Sequence, residues 1–320
     1  MDSSSEKPLK PPSDLIRLGA GGTLVEDADE ETFELYSNLA NTGSEDSNNA
    51  RKGGLGFLDS HKDTLEIDFE LQPPSVPLDS ASSPKLRHSR VKSHKAKKSE
   101  LQSKNISVSI HQDIGALRNR KGDTGSVVWR ASLFLAEFLL QQFYFPLPTM
   151  TPLLNPTLAK TSSVLELGAG TGLSSVLLHE IFGSWTATDQ YDNLKLISRN
   201  LKENKLEDVV GIREVDWFQS LEKASQSSNR QEGGDYDLML AIDCIYNEAL
   251  IKPLVATFDR YTTRRKTLVW VVIELRSSDV VTAFLEEWLS HDGWTIYRLG
   301  EEAMGPKMAR GFVGWIGWRE

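Results

Sequence analysis

Between Thr64 and Leu71 the apolar residues Leu65, Ile67, Phe69 and Leu71 alternate with polar ones, and Ile106, Val108 and Ile110 alternate in the same way. A period of two sets one face of a strand on a core, so the two segments predict a hairpin. The stretch between them is rich in Pro and Ser and ends in a basic run of Lys85, Arg87, Arg90, Lys92, Lys95, Lys97 and Lys98. That composition predicts a disordered insertion over about 73–103. The period then changes. Across 125–143 Val127, Val128, Leu133, Phe134, Leu135, Leu139, Leu140 and Phe143 form a broad helical face. Pro146, Pro148, Pro152 and Pro156 end that helix in a loop. From Ser162 strands and helices alternate. Short apolar runs predict strands at 164–167, 185–188, 210–215, 238–242 and 267–274, with two more at 295–299 and 312–318. Helical periodicity falls at 173–182, 193–204, 251–261 and 280–289, and the polar stretch 220–234 reads as an insertion. Alternation of this kind predicts a mostly parallel sheet covered on both faces. The short link between the last two strands predicts that one of them runs antiparallel.

Residues 1–61 hold two Gly pairs, many acids and only short apolar stretches, which predicts a largely flexible region. One piece, 31–39, carries Phe33, Leu35, Tyr36 and Leu39 at roughly helical spacing and suits a short docked helix. The expected organisation is therefore a flexible region over 1–61, a hairpin with a basic insertion over 62–111, and an α/β domain over 112–320. Composition is ordinary for a globular chain, 39% hydrophobic and 25% charged. A net charge of −9 argues against nucleic acid as the main partner, and no direct nucleic-acid specificity is expected. It leaves a basic protein partner open. The basic run suits RNA, an acidic surface or an import receptor, and equally a solvated insertion with no fixed partner. Cys244 is the single cysteine, which rules out an internal disulfide and fits a reducing compartment. No apolar run reaches about 18 residues, so no membrane span is expected, and the first residues lack the basic-then-apolar order of a secretory leader. The cytoplasm is the expected location, with the nucleus open. No C-x-x-C occurs and His111, His179 and His291 fall in separate elements, so no metal site is expected.

The candidate chemistry begins at Val164-Leu-Glu-Leu-Gly-Ala-Gly-Thr-Gly-Leu173. Gly168, Gly170 and Gly172 sit where the first strand of the alternating region turns into a helix. Glycine permits the tight turn and lets a ligand approach the backbone, and amides at a helix start meet polar ligand groups. Dinucleotide enzymes require G-x-G-x-x-G/A, but here the third glycine comes one position early and Leu173 takes its place. This spacing favours a nucleoside attached to methionine over a pyrophosphate. Asp189, at the end of the next strand, suits both hydroxyls of a ribose, or a helix cap. Asp216-Trp217 ends the third strand, where an acid can take an adenine amino group and an indole can stack on the ring.

Gly168-Ala-Gly-Thr-Gly, Asp189, Asp216-Trp217 and Asp243-Cys-Ile-Tyr246 together resemble the class I methyltransferases. They look most like methyltransferase family 16, a group of protein-lysine methyltransferases. Upstream, Gln112-Asp113 and Gly125-Ser-Val-Val-Trp129 are similar to the segment that precedes the sheet in that family, so the resemblance covers roughly 62–320. Within the family, 120–129 and 241–248 look closest to the fungal ribosomal lysine N-methyltransferases. The resemblance implies a seven-stranded Rossmann-like sheet with helices on both faces, S-adenosyl-L-methionine as cofactor and a protein substrate, with a ribosomal protein expected. A monomer is the default.

By the same resemblance, Trp129 would contact the cofactor, Gly168, Ala169 and Gly170 would line its methionine part, Asp189 would hold the ribose and Trp217 would flank the adenine. Ile242 would close that side of the pocket, and it departs from the small Ala often found there in relatives. Asp243 and Tyr246 form the Asp-x-x-Tyr motif that the family sets beside the acceptor lysine. Taken alone, Trp129, Trp217 and Tyr246 would also suit a core, and Asp243 a cap. A methyltransferase for small molecules and a non-catalytic module that keeps the cofactor fold are the alternatives. Enzymes acting on amino groups of nucleic acid often read Asn/Asp-Pro-Pro-aromatic where this chain reads Asp-Cys-Ile-Tyr, and the glycine spacing disfavours a nicotinamide oxidoreductase.

A lysine acceptor makes one further demand. With a reference pKa of about 10.4, well under 1% is neutral at pH 7. A desolvated site beside a sulfonium pushes the amine toward neutral. Asp243 is expected to orient the ammonium through a charged hydrogen bond, and Tyr246 to wall the channel with its ring.

Overall fold

The computed structural model describes residues 10–19, 21–41, 56–59, 61–74, 102–119, 124–225, 235–309 and 311–320. The N-terminal part holds β1 (Thr23–Leu24), α1 (Ala28–Asn41) and the hairpin strands β2 (Thr64–Leu71) and β3 (Lys104–His111). Helices α2 (Ile114–Asn119), α3 (Arg130–Tyr144) and α4 (Pro156–Ala159) follow. The alternating region runs β4 (Ser163–Leu167), α5 (Leu173–Leu178), β5 (Ser184–Asp189), α6 (Tyr191–Glu203), β6 (Gly211–Glu214) and α7 (Trp217–Ser225). It continues through β7 (Leu238–Ile242), α8 (Ile251–Tyr261), β8 (Leu268–Glu274), α9 (Ser278–Ser290), β9 (Trp294–Arg298), α10 (Glu301–Met304) and β10 (Phe312–Arg319).

The main sheet has the order β1-β9-β10-β8-β7-β4-β5-β6. Strands β6, β5, β4, β7 and β8 pair in parallel, and β10 inserts antiparallel between β8 and β9. The expected sheet is present with an eighth strand added: β1 pairs with the outer edge of β9. Every residue of β7 and β8 is buried, as continuous apolar runs require when both faces of a parallel sheet are covered. Successive residues serve opposite cores. Val164, Leu240 and Trp270 join α3, α5, α6 and the hairpin, whereas Leu165, Ala241 and Val271 join α8 and α9. The hairpin docks through Leu65, Ile67, Leu71 and Ile110, each worth about 1.5–3 kcal/mol of burial. Among the described residues no helix is long and apolar enough to cross a membrane.

Several sequence expectations change. Where 10–41 is described, the chain is packed instead of flexible. Leu15 and Ile16 are buried, Ile16 bridges Leu154, and α1 runs well beyond 31–39. Its anchor is polar: buried Glu31 accepts from Trp315 Nε1 at 2.9 Å and Arg298 Nη1 at 3.0 Å. The helix expected from Gly125 starts at Arg130, because 125–127 form a turn, Gln112 Oε1 accepts from Val128 N at 2.7 Å and Trp129, which bridges Phe57, has extended backbone. The stretch read as an insertion from 220 begins within α7, which Asp216 starts by accepting from Phe218 N at 2.9 Å. The Pro-rich loop contains α4, with Pro156 in its first turn and Asn155 as its cap. The basic run 85–98 and the rest of 226–234 lie outside the described residues.

Candidate active site

The carboxyl ends of β4, β5 and β7 and the segment before α3 surround a cleft of about 970 Å³. Such a position, outside the strand ends of an open α/β sheet, is where this architecture leaves room for a ligand. The nine residues to which the family resemblance gives a role all line it: Trp129, Gly168, Ala169, Gly170, Asp189, Trp217, Ile242, Asp243 and Tyr246. Thr124, Gly125, Ser132, Asn193, Asp216 and Phe218 add to the wall.

The glycine turn owes its composition to close packing as well as to backbone angle. Gly168 and Gly170 have φ of 65° and 58°, a region that costs other residues energy. A Cβ on Gly168 would lie 2.9 Å from Cys244 Sγ and 3.2 Å from Trp217, and one on Gly170 would lie 2.8 Å from Gly125 O. The turn is thus clamped by the loop after β7 and the start of α7 on one side and by the segment before α3 on the other. Asp189 fixes it from below. Its Oδ2 accepts from Gly170 N at 2.8 Å, and its Oδ1 accepts from Gln190 N at 2.8 Å and Asn193 Nδ2 at 2.9 Å. Gln190, not Asp189, is the cap of α6. Behind the turn, Glu166 Oε2 accepts from Ser175 Oγ at 2.6 Å and Trp185 Nε1 at 3.0 Å. Burial pushes this carboxyl up to about 7 despite both donors. Burial, with Asp189, Asp243 and Glu166 nearby, also pushes the Cys244 thiol well up.

On the other side, Asp243 has φ of 58° and a side chain only 1% exposed. Both carboxylate oxygens accept from one guanidinium: Arg276 Nη1 to Oδ1 and Arg276 Nη2 to Oδ2, each at 2.7 Å. Arg276 Nη2 also donates to Glu274 Oε2 at 3.0 Å, and Glu274 pairs in turn with Arg130. Burial lowers the pKa of Arg276, but the hydrogen bonds and charges of Asp243 and Glu274 outweigh it and the group is raised above its ordinary value. Arg276 Cζ lies 4.9 Å from the centre of the Trp129 ring. The sequence reading missed Arg276, Glu274 and Arg130. A glutamate ending the apolar run 267–274 was the one signal available, because a charge at the carboxyl end of a buried parallel strand falls beside the ligand cleft.

A family model described as lysine methyltransferase matches residues 103–290, more than half of the chain. This chain belongs to the lysine methyltransferase family. Its sheet has seven strands in the order β9-β10-β8-β7-β4-β5-β6, with β1 added at the edge. The methyltransferase is 27% identical to ribosomal lysine N-methyltransferase 5 of Kluyveromyces lactis, a match covering 86% of this chain and 94% of that one. It is 32% identical to a Schizosaccharomyces pombe protein named diaminohydroxyphosphoribosylamino-pyrimidine deaminase, over 57% of this chain and 42% of that protein. With protein-lysine methyltransferase METTL21E of Bos taurus it shares 28% identity over 46% of this chain and 47% of that one. The methyltransferase thus spans under half the length of two of these relatives and nearly all of the third.

Proposed function

We propose that this chain is an S-adenosyl-L-methionine-dependent protein-lysine N-methyltransferase whose substrate is a ribosomal protein. The observation that carries the reading is the meeting, in one cleft, of the Asp189-pinned glycine turn and Trp217 with Asp243 and Tyr246. The residues present fit the cofactor. Amides and small side chains of Gly168, Ala169 and Gly170 suit its methionine part, the Asp189 carboxylate suits ribose hydroxyls, and the Trp217 indole and Ile242 suit a purine. Trp129, whose ring centre lies 4.9 Å from Arg276 Cζ, would contact the cofactor from the segment before α3. The name of the Kluyveromyces lactis relative, with its near full-length match, supports a ribosomal target.

When bound, the cofactor supplies a methyl group already activated by a positive sulfur. The bound cofactor would give that methyl to the lone pair of the acceptor nitrogen and keep the C–S electrons on its sulfur. No protein nucleophile is needed. The chain's own work is alignment at about 3 Å and removal of water. Tyr246 offers a ring face that guides a lysine side chain. A cytoplasmic location goes with this reading, and a lone buried thiol fits it.

The test is methyl transfer from radiolabelled S-adenosylmethionine to a ribosomal-protein fraction. One labelled band is expected, carrying methyllysine by mass spectrometry. Gly170→Ala, whose added Cβ strikes Gly125 O, should weaken cofactor binding tenfold or more, given about 1–3 kcal/mol of backbone strain. Cofactor binding by calorimetry without any labelled protein would move the small-molecule reading ahead. No binding at all would favour a non-catalytic module.

A further inference from the structure

The motif's Asp243 does not present an unbalanced charge to the cleft. Four ionised groups cluster at this corner: Asp243 at the end of β7, Glu274 and Arg276 at the end of β8, and Arg130 at the start of α3. Two positive and two negative charges sum to zero. The cluster is roofed as well. A Cβ on Gly56 would collide with Arg276 Nη2 and lie 2.8 Å from Glu274 Oε2, so the backbone of 56–58 rests directly on the pair. Arg130 N donates to Gly56 O at 3.0 Å and Leu58 N to Val128 O at 2.9 Å, which fixes that roof.

The arrangement bears on the difficulty that any lysine acceptor poses. A carboxylate within about 4–6 Å of an amine favours its ammonium form by about 1–3 pH units, and an ammonium has no lone pair for attack. A buried Asp243 without a partner would therefore bind the acceptor in its inert form. Arg276 covers both carboxylate oxygens, and a guanidinium does not give up its proton at working pH. Next to a neutral cluster, an incoming ammonium gains little from Asp243, while loss of water in the cleft still favours the amine. We infer that Arg276 is a positioning residue that neutralises Asp243, so that the acceptor lysine rests at this corner as a neutral amine. This rests on the protein-lysine methyltransferase reading above. The lysine proton leaves to water at the cleft mouth, where Tyr246 is 37% exposed, and not to Asp243.

Other charged or titratable groups face the same region. Tyr36 of α1 lies near both Arg276 and Asp279 of α9, and burial holds its hydroxyl up at about 12, neutral across the assay range. Asp189 and Asp216 line the far wall of the cleft. Glu166, at about 7, titrates behind the glycine turn. It is common to all variants, so its effect cancels in a comparison.

The experiment is the initial rate of radiolabel transfer to a ribosomal-protein fraction between pH 6 and 10, for the full chain and two variants. Arg276→Gln removes the positive charge from Asp243 and leaves it the amide of Glu274, whose N donates to Asp243 Oδ1 at 3.2 Å. The midpoint of the rising limb should move up by about one unit or more, with rates near pH 7.5 down about tenfold and recovering at high pH. Asp243→Asn leaves an excess cation, and its midpoint should move down. A structural role alone would lower the rate by one factor at every pH. Wild-type midpoints in both variants, or shifts of the opposite sign, overturn the inference. If Arg276→Gln does not fold, the Asp243→Asn midpoint decides alone: a downward shift supports the inference, and an unchanged or raised one overturns it. If the wild-type chain labels no protein, the functional reading fails, and that failure is distinct.

Discussion

Glu166 stands two positions before Gly168, fully buried, and carries a carboxyl whose titration burial has raised to about 7. A folded-state pKa above the unfolded one gives stability that is fully present below the unfolded value and lost as pH rises through the folded value. The window here runs from about 4.5 to about 7. Glu166→Gln keeps an oxygen for Ser175 and Trp185 and removes the ionisation. Its Tm should therefore match or fall below wild type at pH 5 and exceed it at pH 8. A Tm difference that is the same at both pH values would show that the group does not ionise in this window. Single residues were also where the sequence spoke most clearly about the site. Gly168, Asp189, Trp217 and Asp243 each follow or end a strand of the parallel set, and parallel pairing brings all such ends to one edge. Arg276 gave no such signal, because its partner Asp243 lies 33 positions away and meets it only through the pairing of β7 with β8.

The hairpin was readable from its alternation, but its manner of docking was not. Asn200 of α6 and Asn204, the residue that caps its C-terminus, stand one turn apart. Asn200 Oδ1 accepts from His111 N at 2.7 Å, and its Nδ2 donates to His111 O at 2.9 Å and to Thr171 O at 2.8 Å. Asn204 repeats the grip on Ser109, accepting from its N at 3.3 Å and donating to its O at 2.8 Å. One amide thus ties β3 to the loop that opens α5. Asn200→Ala strands these buried backbone groups and should lower stability by about 1–3 kcal/mol, read by denaturant unfolding. Amide exchange at His111 should quicken, and a variant with unchanged stability and exchange would mean that the apolar face alone holds the hairpin. The segments 125–129 and 220–225 depart from the sequence expectation for related reasons. Apolar spacing suggests a helix at 125–129, but Gln112 claims the backbone there. At 217–225 the polar sequence hides a helix that Asp216 starts.

Across the whole molecule, the N-terminal part departs furthest from its sequence expectation. Apolar periodicity undervalues α1, because what the helix buries is Ala28, Glu31 and Thr32, while Phe33 is 75% exposed. Its specificity is that of a buried ionic contact between Glu31, Arg298 and Trp315. Removing one partner of such a contact leaves the others unpaired, so Glu31→Ala should destabilise the protein by about 3–5 kcal/mol. Glu31→Gln, which keeps an acceptor for Trp315, should lose less. Denaturation curves for the two variants that overlay wild type would show that α1 is not anchored by this contact.

The pairing of β1 with β9 also sets an order of events during synthesis. Thr23 registers with Arg298, a separation of 298 − 23 = 275 positions. At about 5–20 residues per second, translation holds the two apart for on the order of 15–50 s. Throughout that interval α1 has neither Arg298 nor Trp315 to receive Glu31, and the outer sheet edge does not yet exist. The N-terminal segment is made first and locks in last, so a nascent chain halted before its final strands carries an unclosed sheet and an unanchored helix for chaperones to hold.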